Sequence, residues 1–275
     1  MTPHGAGAWM RSLIAAFALA VAVAVPSALV TAQPVQTEAT FPNGNLQLNG
    51  FIWKPDGAGP FPALLWNHGS EKLPGWLPGL GPAFVRQGYV FFVPHRRGQG
   101  RSPGPYIQDQ LQQARPDERS RLLVQLHELQ LTDQLAALAY LKGQPFVDAG
   151  RLAVAGCSYG GIQTVLAAEG GHGYRAAVDF AGASQSWQGS PDLQARMLRA
   201  VRGAAIPVFF IQAENDYDLT PSRALAAEMQ RAGKPHQVKF YPPFGSGRQD
   251  GHDFCVKGVE VWGPDVFPHL AATLR

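Results

Sequence analysis

One stretch constrains this chain more than any other. Leu152-Ala153-Val154-Ala155-Gly156-Cys157-Ser158-Tyr159-Gly160-Gly161 carries an apolar run of strand length into a Gly-x-Ser-x-Gly turn, and a helical pattern follows. A strand feeding directly into a helix through so tight a turn leaves no room for a side chain two positions before or after its central residue. Gly156 and Gly160 meet that requirement around Ser158. In this strand–turn–helix context the central serine is a candidate nucleophile, and the N-terminus of the helix behind it favours developing negative charge. Cys157 is the other nucleophilic side chain in the turn. Its flanking positions would be Ala155 and Tyr159, and Tyr159 is too large, so Ser158 is preferred.

The rest of the chain repeats the strand–helix alternation. Leu46, Leu48, Ile52 and Trp53 lie in two short extended pieces near the hairpin-type turn Asn43-Gly44. Apolar runs of the buried parallel-strand kind follow at 62–66, 89–93, 152–155, 176–180, 208–211 and 238–241. Helical spacing fills the gaps at 82–87, 162–169, 222–232 and 262–274, and Leu131, Leu135, Leu138 and Leu141 form one stripe. The expectation is a mostly parallel central sheet with helices on both faces. Residues 103–128 read as a helical insertion, with Pro116-Asp117-Glu118 a helix start and Leu122, Leu123 and Leu126 its apolar face. It is either a packed surface helix or a cap over the site.

Composition excludes several classes. With 45% hydrophobic and 16% charged residues in 275, the chain is neither disordered nor fibrous. The net charge of +3 is small and its basic residues are scattered, so no nucleic-acid partner is expected. No Cys/His cluster has zinc-site spacing, and no metal is expected. Residues 1–32 have the layout of a signal peptide: Arg11, an apolar run from Leu13 to Val25, Pro26, and small residues at Val30-Thr31-Ala32. Cleavage after Ala32 would leave residues 33–275 as one exported catalytic domain, periplasmic or secreted, with no stable membrane insertion. The alternative is an uncleaved anchor.

A serine nucleophile needs a base, and the base an orienting carboxylate, in the chain order Ser, acid, His. His252, in the glycine-flanked Gly251-His252-Asp253-Phe254, is the expected base; His269 lies in a helical stretch. For the acid, Asp216 and Asp218 both follow the run Phe209–Ala213, and Asp216 is preferred as nearer the strand end. Asp218 is the alternative, with capping of the next helix as its other role, and Asp179 a third candidate. Two backbone amides should hold the oxyanion: that of Tyr159, and that of Ser70 in Asn67-His68-Gly69-Ser70-Glu71. His68 reads as a brace of that loop. Glu71 reads as an exposed loop charge or as an anchor for a substrate amino terminus. Trp76, Tyr106 and Trp187 mark loops where specificity could reside. Cys157 and Cys255 are expected as two buried free thiols, because the tight turn leaves Cys157 little freedom to meet a partner.

These residues together resemble the α/β-hydrolase superfamily over most of 45–275. The likeness rests on His68-Gly69, the Arg97-Gly98-x-Gly100-x-Ser102 turn, the Gly156–Gly161 segment, Asp216 and Gly251-His252. Within it the chain is most similar to the dienelactone-hydrolase-like group, and somewhat to serine peptidases of the prolyl-oligopeptidase type. The resemblance implies an α/β-hydrolase fold, no cofactor, and hydrolysis of esters, lactones or peptides. It departs from true dienelactone hydrolases in having Ser158 where they carry cysteine, and His95 replaces an aspartate common two residues before the Arg of the turn. The implied activity is cleavage of carboxylic esters by a serine hydrolase. Alternatives are an aminopeptidase or acyl-peptidase with the same residues, a thioesterase, or a degenerate fold acting as a binding module.

Overall fold

The computed structural model describes residues 35–75, 77 and 79–275. The expected signal peptide and Trp76 lie outside them. Among the described residues no helix is long and apolar enough to cross a membrane.

Eight strands form one sheet. They are β1 (Gln36–Asn43), β2 (Leu46–Trp53), β3 (Phe61–Asn67), β4 (Val90–Pro94), β5 (Val147–Cys157), β6 (Ala176–Phe180), β7 (Val208–Ala213) and β8 (His236–Tyr241). Their spatial order is β1-β2-β4-β3-β5-β6-β7-β8. β1 and β2 form a hairpin that turns at Gly44, where φ is +60° and glycine is favoured. All four residues expected in two extended pieces, Leu46 to Trp53, therefore sit in its second strand. β2 pairs antiparallel with β4, and every later pairing is parallel.

Both faces of the sheet are covered, and the period-two alternation of each strand divides the core accordingly. Ala63 and Leu65 of β3, Leu152 and Val154 of β5, and Val208 and Phe210 of β7 pack on one side. There they meet α2 (Ile107–Gln113), α3 (Arg119–Lys142), α4 (Tyr159–Gly170), α5 (Pro191–Arg202) and α6 (Thr220–Arg231). Leu64, Trp66, Ala153, Ala155, Phe209 and Ile211 face the other side. That layer is built from α1 (Leu80–Arg86), α8 (Phe254–Lys257) and α9 (Val259–Thr273), with Phe84, Phe254 and Trp262 wholly buried. The strands at 62–66 and 152–155 are buried on both faces, which is why they read as unbroken apolar runs.

Residues 103–128 do not form a body of their own. α2 is a short helix anchored by Ile107 and Leu111, and the helix expected near Pro116 is continuous with the 131–141 stripe as α3. None of the described residues lining the main cavity comes from this segment. α5 was not anticipated, although Leu193, Met197, Ala200 and Val201 recur on its buried stripe behind Pro191 at its first turn.

Candidate active site

The candidate side chains collect at the C-terminal ends of the parallel strands, where open α/β sheets place their ligand crevices. There β3, β5 and β7 lead into the loops carrying Ser70, Ser158 and Asp216. The chain past β8 brings in α7 (Arg248–His252), which ends on His252. A cavity of about 420 Å³ opens at this edge, lined among others by Ser70, Glu71, Ser158, Gln185 and His252.

Ser158 occupies the apex between β5 and α4 with φ +58° and ψ −116°, a conformation that non-glycine residues rarely adopt. The flanking glycines are explained by contact. A Cβ on Gly160 would run into the carbonyl of Asn67, and one on Gly156 into the carbonyl of Gly160. The Ser158 backbone is held by its N–H donating to Phe180 O at 3.0 Å. Cys157, by contrast, is the last residue of β5 and its sulfur is bonded to that of Cys255, with Cα atoms 6.0 Å apart. The expectation of two free thiols is therefore wrong. Cys157 faces the α8 side of the sheet, and the hydrogen-bonded approach of His252 to the Asp216 loop brings Cys255, three residues on, within bridging distance.

Asp216 and His252 are both buried, and His252 Nδ1 is 2.9 Å from Asp216 Oδ1. Three further donors saturate this carboxylate. Ser184 Oγ (2.7 Å) and the Tyr217 N–H (2.6 Å) reach Oδ1, and Gln212 Nε2 (3.0 Å) reaches Oδ2. Ser184 reaches it from a turn after β6 in which Ala181 and Ala183 both have positive φ. Asn215 joins the two loops: its amide donates to Phe244 O and Gly247 O, and its Oδ1 accepts from the Phe244 N–H. Gly251 is needed at this junction, because a Cβ there would meet Asn215 Oδ1 and the Asp216 N at under 3 Å. Ser184, Gln212 and Asn215 escaped sequence reading: Ser184 and Asn215 act through partners distant in the chain, and Gln212, within β7, reaches Asp216 four residues on. Asn215 alone carried a local hint, lying between Glu214 and Asp216 at the strand tip.

The competing candidates are elsewhere. Asp218 accepts from the Thr220 N–H (2.8 Å) and Gln188 Nε2 (3.1 Å), at the start of α6. Asp179 is wholly buried; it accepts from the Gly182 N–H, and burial pushes its carboxyl up to about 7. His269 lies on α9 against Phe209. Of the aromatic markers, Trp187 is buried in the core and Tyr106 donates its hydroxyl to Ser70 O at 2.5 Å.

His68 is a buried brace. Burial first, then Arg96 and His95, holds its pKa well below the usual histidine range, so the ring is neutral. The Arg96 N–H points at Nε2 (3.4 Å), and Nδ1 lies 3.0 Å from Gly69 O and 3.1 Å from Arg96 Nη2. At His95, Ser102 Oγ donates to the backbone oxygen (2.8 Å) and accepts from the Asn49 N–H (2.9 Å).

The sheet order, its crossing helices and the placement of this crevice define an α/β-hydrolase. Solved structures with the same fold include an acylaminoacyl peptidase from Pyrococcus horikoshii (18% identity, TM-score 0.61), matched over 83% of this chain and 42% of that one. Dipeptidyl peptidase 4 from Porphyromonas gingivalis aligns at 18% identity and TM-score 0.65 over 88% of this chain and 36% of its own. An esterase from Pyrococcus furiosus aligns at 13% identity and TM-score 0.62 over 88% and 92%. The chain thus spans about two fifths of the length of the two peptidases. No curated protein matches it. Residues 80–257 match the dienelactone hydrolase family model, and the chain belongs to that family.

Proposed function

We propose that the chain is an exported serine hydrolase cleaving carboxylic esters through Ser158, His252 and Asp216. The 2.9 Å bond between His252 and Asp216, on a cavity that Ser158 also lines, is the observation that carries this reading. In the reaction, Asp216 keeps the proton of His252 on Nδ1, so that Nε2 is the basic nitrogen. Nε2 takes the proton of Ser158 as Oγ attacks the carbonyl carbon. The N–H groups of Tyr159 and Ser70 hold the oxyanion. Collapse breaks the ester bond, His252 protonates the departing alkoxide, and water then resolves the acyl-enzyme by the same steps in reverse roles.

One observation favours a second reading, an aminopeptidase or acyl-peptidase. The Glu71 carboxylate lines the cavity half-exposed, and its nearest cationic-type group is His68, 4.0 Å away and neutral. A substrate ammonium group would suit it. The test is a hydrolysis screen of the mature chain on chromogenic esters of rising acyl length beside aminoacyl amides, with Ser158→Ala as control. Loss of turnover on the order of a million-fold in the folded variant is expected. Near-normal turnover in Ser158→Ala would refute the assignment, and amides outrunning esters would select the second reading.

A further inference from the structure

The loop expected to supply the second oxyanion amide is held in an unusual way. Four successive carbonyls each accept a hydrogen bond from the turn at 96–106 that follows β4. Gly69 O accepts from Arg96 Nη2 (2.6 Å), Ser70 O from the Tyr106 hydroxyl (2.5 Å), Glu71 O from Gln99 Nε2 (2.8 Å) and Lys72 O from the Gly100 N–H (2.8 Å). Gly69 O has the most polar neighbours: besides Arg96, His68 Nδ1 lies 3.0 Å away and Gln99 Nε2 3.4 Å.

Arg96 is the costly member of this set. Its side chain is wholly buried, and among the described residues no carboxylate lies within 4.0 Å of it. Its Nε donates to Gln99 Oε1, and its Nη1 has no partner. Burial lowers its pKa only to about 10, so the guanidinium stays charged at neutral pH. A buried charge without an ion-pair partner is expensive, and here its shortest contact is a single carbonyl.

That carbonyl belongs to the peptide group whose nitrogen is that of Ser70. The peptide is trans, so its C=O and N–H point in opposite directions. Pinning the oxygen on Arg96 turns the Ser70 N–H the other way, and this N–H has no acceptor among the described residues. A cation on the oxygen also polarises the peptide and strengthens the N–H as a donor.

We propose that Arg96, with Tyr106 beside it, is a positioning residue for the oxyanion: it aims and polarises the Gly69–Ser70 peptide. This rests on the reading of Ser158 as nucleophile and Ser70 as oxyanion donor. It needs no contact between Arg96 and substrate.

The test compares a matched pair of substrates, an ester and its thionoester, in which the carbonyl oxygen is replaced by sulfur. Sulfur accepts hydrogen bonds poorly, so the thionoester draws little from the oxyanion amides. In Arg96→Lys, kcat on the oxoester should fall about 100-fold, the scale of losing one oxyanion donor, with KM within about twofold. The thionoester should lose far less, narrowing the oxoester preference by about tenfold or more. Tyr106→Phe, which removes one half-buried hydroxyl, should shift the preference the same way by a few-fold, and it decides the matter if Arg96→Lys does not fold. Equal losses on both substrates in the folded variants would make Arg96 and Tyr106 braces only and overturn the proposal. Retained turnover in Ser158→Ala would overturn the underlying site reading, and the proposal with it.

Discussion

The Cys157–Cys255 bridge ties the strand that leads to Ser158 to the segment carrying His252, and breaking it should be felt in both stability and turnover. The two cysteines are 98 residues apart. In the chain-entropy model, closing a loop of about 100 residues is worth about 4.7 kcal/mol at 25 °C. For a domain of this size each kcal/mol moves Tm by roughly 2–4 °C, so reduction should lower Tm by about 10–20 °C. The catalytic effect is separate. The sulfurs lie 3.3 Å (Cys255) and 3.9 Å (Cys157) from the backbone carbonyl of His252, so the bridge packs against that residue. If its release lets His252 drift by about 1 Å, turnover should fall on the order of 100-fold below the new Tm. Melting curves and ester kinetics with and without a phosphine reductant read both effects, and the Cys157→Ala/Cys255→Ala double variant should resemble the reduced enzyme and ignore the reductant. Alkylating the unreduced, denatured protein should add nothing to a mass two hydrogens light. Two alkylated cysteines, or a Tm unmoved by reduction, would refute the reasoning.

Two further outcomes are expected. Asp216→Asn should cost roughly ten-thousand-fold in kcat, by analogy with a serine protease in which the same change leaves the histidine in the wrong tautomer, whereas Asp218→Asn should cost far less; the reverse order in ester kinetics would move the orienting acid to Asp218. Asp179, with its carboxyl raised from 3.8 to about 7 by burial, keeps its proton in the folded chain while the unfolded chain ionises, so it erodes stability as pH rises from about 4 to 7. Asp179→Asn keeps an acceptor for the Gly182 N–H and should gain on the wild type by up to about 4 kcal/mol at pH 8 relative to pH 4, read by denaturant melts at the two pH values; an equal difference at both would sink the argument.

What could be read from the sequence divides along a physical line. The Ser158 turn was legible because its pattern is local, two glycines flanking a serine between a strand and a helix, although the contacts that require Gly160 come from Asn67 and His68 at the end of β3. The strands at 152–155 and 208–211 were legible because burial on both faces leaves an apolar run with no other reading. Gly251 carries less of its reason in the local pattern. Its motif marked His252, but the reason for the glycine is the Asn215–Asp216 backbone, 35 residues away in sequence and visible only once β7 and α7 meet. The bridge was misjudged for the same reason. The stiffness of the turn at Cys157 does not matter, because the fold delivers Cys255 to it on α8, just past the Gly247–His252 stretch that Asn215 and Asp216 hold. Arg96 is the furthest case. A buried arginine in a loop has no signature in spacing or hydropathy, and its consequence for Ser70 passes through the far side of a peptide group. Residues that act on the chemistry directly can be recognised by type, whereas those that aim them become visible only through the contacts of the folded chain.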